Sequence, residues 1–136
     1  MATQLFVNLA VKDLKKTMDF FSKLGFTFNM QFTDENAACM IINNEAFIML
    51  LQEPFFKTFT RKELVDAHKS TEVLTSISAE SKDKVNEILD KALSMGATEA
   101  REPQDQSFMF GRSFSDPDGH IWEVFWMDMN AFTKEQ

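Results

Sequence analysis

The sequence is poor in the residues that build several common kinds of site. It has one cysteine, Cys39, so neither an internal disulfide nor a thiolate-rich zinc centre can form. Its two histidines, His68 and His120, rule out a three-histidine metal site. Tyrosine is absent, which removes phenolic acid–base chemistry. The four glycines, Gly25, Gly96, Gly111 and Gly119, stand apart, so the dinucleotide-binding fingerprint and the phosphate loop are both missing. No serine lies in a Gly-x-Ser-x-Gly elbow. Positive charge is scarce as well: 14 Lys plus Arg face 21 Asp plus Glu, a net charge of −7. That balance argues against nucleic acid and against an anionic membrane as partners. The longest apolar runs, Ala37–Ile42 and Ala46–Leu51, are six residues each, where a membrane span needs about 20. The opening Met-Ala-Thr-Gln-Leu-Phe lacks the charge and apolar stretch of a secretory leader, and the expected location is cytoplasmic.

What is present suits a packed core. Hydrophobic residues make up 44% and charged residues 26%, ordinary values for a globular domain. Two segments carry helical period. From Asp13 to Leu24, apolar residues fall at Leu14, Met18 and Phe21, with Asp13 as N-cap and Gly25 as the C-terminal stop. From Ser81 to Met95, Val85, Ile88, Leu89, Ala92 and Leu93 share a face between the cap Ser81 and the stop Gly96. Strands are predicted at Leu5–Val11, Phe26–Phe32, Asn36–Ile42, Ala46–Gln52, Thr98–Glu102, Phe108–Phe114 and His120–Met127. Asp116-Pro117-Asp118-Gly119 has the composition of a tight turn. A short helix is expected at Arg61–Ala67, beyond the aromatic cluster Phe55, Phe56 and Phe59.

The order of elements repeats. Strand, capped helix, glycine and three strands occur in residues 5–52 and again in 72–127, with helix caps 68 residues apart and stop glycines 71 apart. Halves of about 60 residues are marginal alone, so a single domain with one shared sheet is expected. Its parts are a first module over 4–53, a linker over 54–71, a second module over 72–128 and a tail over 129–136.

Two stretches carry a family resemblance: Val7-Asn8-Leu9-Ala10-Val11-Lys12-Asp13-Leu14 running on to Phe20-Phe21-x-x-Leu24-Gly25-Phe26, and Ser115-Asp116-Pro117-Asp118-Gly119-His120-Ile121-Trp122-Glu123-Val124. With the duplicated βαβββ order, they make the chain resemble the vicinal oxygen chelate superfamily of glyoxalase I, bleomycin resistance proteins and extradiol dioxygenases. The resemblance implies an α+β fold, duplicated βαβββ modules forming a curved, cup-shaped mixed sheet with helices on its outer face. It also implies a homodimer. Metal-dependent members place four ligands in the cup, on the first and last strands of each half. The matching positions here are Phe6, Met49, Glu72 and Glu123, of which only the two carboxylates are metal donors. Two carboxylates hold a divalent ion weakly. No cofactor is therefore expected, with Glu72 and Glu123 the candidates should a metal bind.

The resulting expectation is a protein that binds a small organic molecule in a cup lined by Phe6, Asn8, Met49, Glu72 and Glu123, with Glu123 the catalytic candidate if chemistry occurs. Strand alternation sets Ile121, Glu123 and Phe125 on one face and Trp122, Val124 and Trp126 on the other, so both faces are covered and Glu123 is partly enclosed. An acidic wall favours a cationic ligand, whereas Arg101 and Arg112 would favour an anionic one. A lactoylglutathione lyase-type isomerase, or another metal-assisted lyase or dioxygenase, is the alternative enzyme reading. A catalytically silent dimeric module is the third. His120 is expected to serve the turn, and Cys39 to be a buried apolar residue.

Overall fold

Each half of the chain builds its own four-stranded sheet around one capped helix. The computed structural model describes residues 2–130, so the end of the expected tail, 131–136, lies outside the described residues. In the first half, β1 (Leu5–Val11) leads into α1 (Leu14–Lys23), β2 (Thr27–Asn29), β3 (Ala37–Ile41) and β4 (Ala46–Gln52), followed by the one-turn helix α2 (Glu53–Phe56). The second half repeats the order with β5 (Leu74–Ser78), α3 (Lys82–Ser94), β6 (Thr98–Gln106), β7 (Met109–Ser115) and β8 (Ile121–Met127). The strand orders are β1-β4-β3-β2 and β5-β8-β7-β6, with the first and last strands of each module parallel and all other neighbours antiparallel. The α+β duplication is thus as the sequence implies, but the strands bond as two four-stranded mixed sheets rather than one continuous ladder. The chain divides into two compact units between Val65 and Asp66, inside the expected linker.

Capping explains both long helices. Asp13 accepts the Lys16 amide at 3.2 Å and Ser81 the Lys84 amide at 3.1 Å, satisfying donors that the first turn leaves free. Gly25 (φ 106°) and Gly96 (φ 99°) end the helices in the left-handed region. On α1 the buried stripe is Leu14, Thr17, Phe20 and Phe21, with Met18 only half-buried. Together with Leu9, Val11, Met40, Ile48 and Leu50 it makes the core of the first unit. Val85, Leu89 and Ala92 of α3 do the same with Phe114, Trp122 and Val124 in the second. Among the described residues, no helix is long and apolar enough to cross a membrane.

Two expected elements are corrected. The alternating Phe26–Phe32 segment stops being a strand at Asn29, whose side chain accepts the Gln31 amide at 3.0 Å and starts a 3₁₀ turn over Met30–Phe32. Arg61–Ala67 is irregular, and the helix forms earlier, where Pro54 sits in the first turn and its missing N–H costs nothing.

Gly119 is fixed by its surroundings as well as its φ of 90°. A Cβ there would come within 2.7 Å of the His68 amide nitrogen and 2.8 Å of the Ala67 carbonyl carbon. At Gly25, also in the left-handed region, a Cβ would meet nothing within 4 Å. Gly25→Ala should therefore cost about 1 kcal/mol of backbone strain, and Gly119→Ala about 2–4 kcal/mol, strain and collision combined. Urea unfolding of the two variants checks this, and equal losses would contradict it.

Candidate functional site

The register of β1 and β4 decides which side chains share a face. Parallel pairing sets Phe6 beside Phe47, Asn8 beside Met49 and Ala10 beside Leu51, and β3 extends these rows with Ile41, Cys39 and Ala37. Alternate residues point to one side, so this face lies opposite the one that carries Leu9, Ile48 and Leu50. It contains no charged residue. Cys39 is buried within it, and desolvation pushes its thiol above the ordinary range, which fits an apolar role rather than a reactive one.

A groove of about 460 Å³ opens on this face. Asn8, Ala37, Met49 and Leu51 line it from the sheet. On one side stand Phe55 and Phe59, rings edge-to-face at 5.2 Å, on α2 and the 3₁₀ turn that continues it. The Thr58 hydroxyl donates to the Phe55 carbonyl at 2.7 Å and closes that turn. On the other side runs Gln31–Asp34, held by its own side chains. The Thr33 hydroxyl donates to the Asn29 carbonyl at 2.8 Å and accepts the Cys39 amide at 3.1 Å. Asp34 Oδ1 accepts the amides of Asn36 at 2.8 Å and Ala37 at 3.0 Å.

Of the expected site residues, Asn8 and Met49 line this groove. Phe6 shares their face but stacks on Phe47 at 4.8 Å and is 47% exposed, outside the groove lining. The Gln31–Asp34 side is absent from the sequence reading because Phe26–Phe32 alternates so cleanly. Asn29 and Asp34, turn-formers bracketing the segment, were the available signal.

Glu123 and Glu72 belong to the second unit. Glu123 lies on β8 between Ser76 of β5 and Ser113 of β7, and its Oε1 accepts the Ser76 hydroxyl at 2.9 Å. Ser113 is buried and its hydroxyl has no partner among the described residues. Around them Arg101, Gln104 and Gly111 border a crevice that encloses no volume for a small molecule. Glu72 is not on the strand. It is exposed in the segment before β5, where the Thr71 hydroxyl turns back to the Val73 carbonyl at 3.1 Å. Phe6 stands seven residues before its helix cap, and the residue with that spacing in the second half is Leu74. By the same spacing the pair Asn8 and Met49 corresponds to Ser76 and Glu123. The four family positions thus carry a ring, a thioether, an alkyl chain and one carboxylate, a donor set that does not fit a divalent ion. Among the described residues, no three His, Cys, Asp or Glu side chains converge.

Arg112 is held by side chains of its own unit. Its guanidinium donates to Asn86 at 2.8 Å and pairs with Asp90 at 3.0 Å and Glu99 at 3.4 Å, with only 11% of the side chain exposed. It ties α3 to the sheet. His68, the expected helix-end histidine, instead lays its backbone against Gly119.

Residues 3–124 match the family model of the Glyoxalase/Bleomycin resistance protein/Dioxygenase superfamily. No curated protein matches the chain. Several solved structures share the fold. A hypothetical protein from S. aureus is 24% identical, with a TM-score of 0.79 over 93% of this chain and 95% of that one. A glyoxalase/bleomycin resistance protein/dioxygenase family enzyme from Burkholderia phytofirmans is 14% identical, TM-score 0.76, over 93% and 99%. The fosfomycin resistance protein FosX from Listeria monocytogenes, complexed with Mn(II) and sulfate, is 17% identical, TM-score 0.70, over 99% and 98%.

The turn before Glu123 is built on Asp116, and His120 serves it as expected. The buried carboxylate accepts the amides of Asp118 at 2.9 Å and His120 at 3.0 Å through Oδ1, and Trp122 Nε1 at 3.0 Å through Oδ2. Burial pushes this carboxyl above its ordinary 3.8, against the opposing pull of His120 and Trp122, while Asp118 adds to the rise. A carboxyl that keeps its proton to higher pH when folded withdraws stability as pH climbs from 3.8 through the folded value. The unfolding free energy of the protein, taken relative to Asp116→Asn, should therefore fall with rising pH across that window in urea titrations. Asp116→Ala, which removes the carboxylate that accepts three hydrogen bonds, should cost about 3 kcal/mol at neutral pH. A pH-independent difference would refute the first expectation and an unchanged midpoint the second.

Proposed function

The chain belongs to the glyoxalase/bleomycin resistance protein/dioxygenase superfamily, and from that premise we propose that it binds a small organic molecule in the groove of its first unit without a resident metal. The observation that carries this reading is the groove itself. Its volume of about 460 Å³ falls within the range of small-molecule sites, and its make-up, apolar walls with a few placed polar groups, is theirs too. Withdrawing about 200 Å² of apolar surface from water there is worth about 5 kcal/mol before the cost of immobilising the ligand. The metal-free part rests on the donor set, one carboxylate among four family positions. A fosfomycin resistance protein shares the fold, so small-molecule handling is in keeping with it.

An enzyme is the second reading, favoured by the bond between Ser76 and Glu123. A carboxylate held by a neighbouring hydroxyl is oriented for proton transfer. In that case Glu123→Gln abolishes turnover while the fold is retained.

Thermal-shift screening of hydrophobic amines, alcohols and thiol conjugates tests the binding reading. A ligand at one hundred times its Kd adds about 2.7 kcal/mol of stability. Met49→Trp, which fills the groove with an indole, should remove that shift and leave the unliganded melting temperature within a few degrees. Elemental analysis after dialysis should find substoichiometric metal. Shifts that survive Met49→Trp would place the ligand elsewhere, and a stoichiometric divalent ion would overturn the metal-free assignment.

A further inference from the structure

The charge of the groove is unusually one-sided for a site with so few polar groups. Of the described residues that line it, Asp34 alone is charged, and no Lys, Arg or His is among them. Its two carboxylate oxygens have different work. Oδ1 is occupied by the amides of Asn36 and Ala37 at 2.8 and 3.0 Å, which fix the group on the chain. Oδ2 has no partner among the described residues. The backbone before it is fixed as well, since the Thr33 hydroxyl spans the Asn29 carbonyl and the Cys39 amide. Thr33 therefore has little left for a ligand, and the remaining polar lining is the amides of Asn8 and Gln31.

The rings have a matching character. Phe32 is 65% exposed and Phe59 68% exposed, although apolar surface of that size is costly to leave in water. Aromatic faces attract a cation through their quadrupole, and a carboxylate does so through its charge. An anion in this groove would meet a carboxylate and no compensating cation.

We propose that the groove selects organic ammonium ions, an amine carried on an apolar ring skeleton, with Asp34 Oδ2 as the counter-ion and Phe32, Phe55 and Phe59 around the skeleton. This rests on the groove being the binding site and adds the ligand class. It locates the selectivity in the first unit, on a residue outside the family's first- and last-strand positions.

Matched pairs of probes separate the two ideas. Tryptamine against tryptophol, and cyclohexylmethylamine against cyclohexylmethanol, differ in the ammonium group and little else. Ligand-detected NMR titration of each pair is run with the protein, with Asp34→Asn and with Met49→Trp. Asp34→Asn retains an Oδ1 acceptor for the Asn36 and Ala37 amides, so its melting temperature should stay unchanged. Each amine should bind the protein about tenfold tighter than its alcohol, the worth of one charge-assisted contact. In Asp34→Asn the gap should close by loss of amine affinity, with alcohol affinity retained. Alcohols binding as well as amines, or a gap that persists in Asp34→Asn, would overturn the ammonium assignment while leaving the groove as the site, provided Met49→Trp abolishes both. If neither member of either pair binds, the groove reading falls and this inference with it.

Discussion

The parallel ladder between β1 and β4 is the constraint on which the site depends. Side chains in a strand alternate with a period of two, so a slip of one residue would exchange the faces of Phe6, Asn8, Met49 and Leu51 with those of Val7, Leu9, Ile48 and Leu50. Leu9, Ile48 and Leu50 of the second set are buried in the core, and burial of Leu50 and Ile48 leaves no alternative register without exposing them. The chemistry of the groove therefore follows from core packing on the other side of the same strands. A residue becomes a groove residue because its neighbours on both sides are committed to the core.

The second unit reaches the same topology with different fastenings. Arg112 joins β7 to α3 through Asn86 and Asp90 and to β6 through Glu99, and Asp116 closes the β7–β8 turn onto Trp122. Charge is distributed unevenly between them. Residues 1–65 contain seven basic and seven acidic side chains, whereas 66–136 contain seven basic and fourteen acidic ones. All of the net charge of −7 thus resides in the second unit. The groove lies in the neutral unit, where Asp34 is the charged residue of its described lining.

Much of the fold was legible from the residues. The caps Asp13 and Ser81, the stop glycines and the two apolar stripes identify both helices, because these signals are local and chemical. The site was legible in part. Asn8 and Met49 could be placed by strand parity, and the absence of metal donors at Phe6 and Met49 could be read directly. Glu72 was misplaced because strand onset depends on where Thr71 turns the chain, which composition does not reveal. The Gln31–Asp34 side of the groove was hidden by an alternating pattern that favours a strand, until the Asn29 side chain competes with the ladder for a backbone amide. Pro54 drew the helix toward the aromatic cluster and away from the charged residues that follow it.

The division of β4 into two interleaved sets bears on how such a protein diverges. Ile48 and Leu50 are locked by the core, but Met49 is only half-buried and faces a cavity with room to spare. Exchanges at position 49, and at Asn8 beside it, would change the groove lining while leaving the core face of the strands in place. The groove face can thus change at Met49 of a strand whose Ile48, Leu50 and Leu51 are all held by the core.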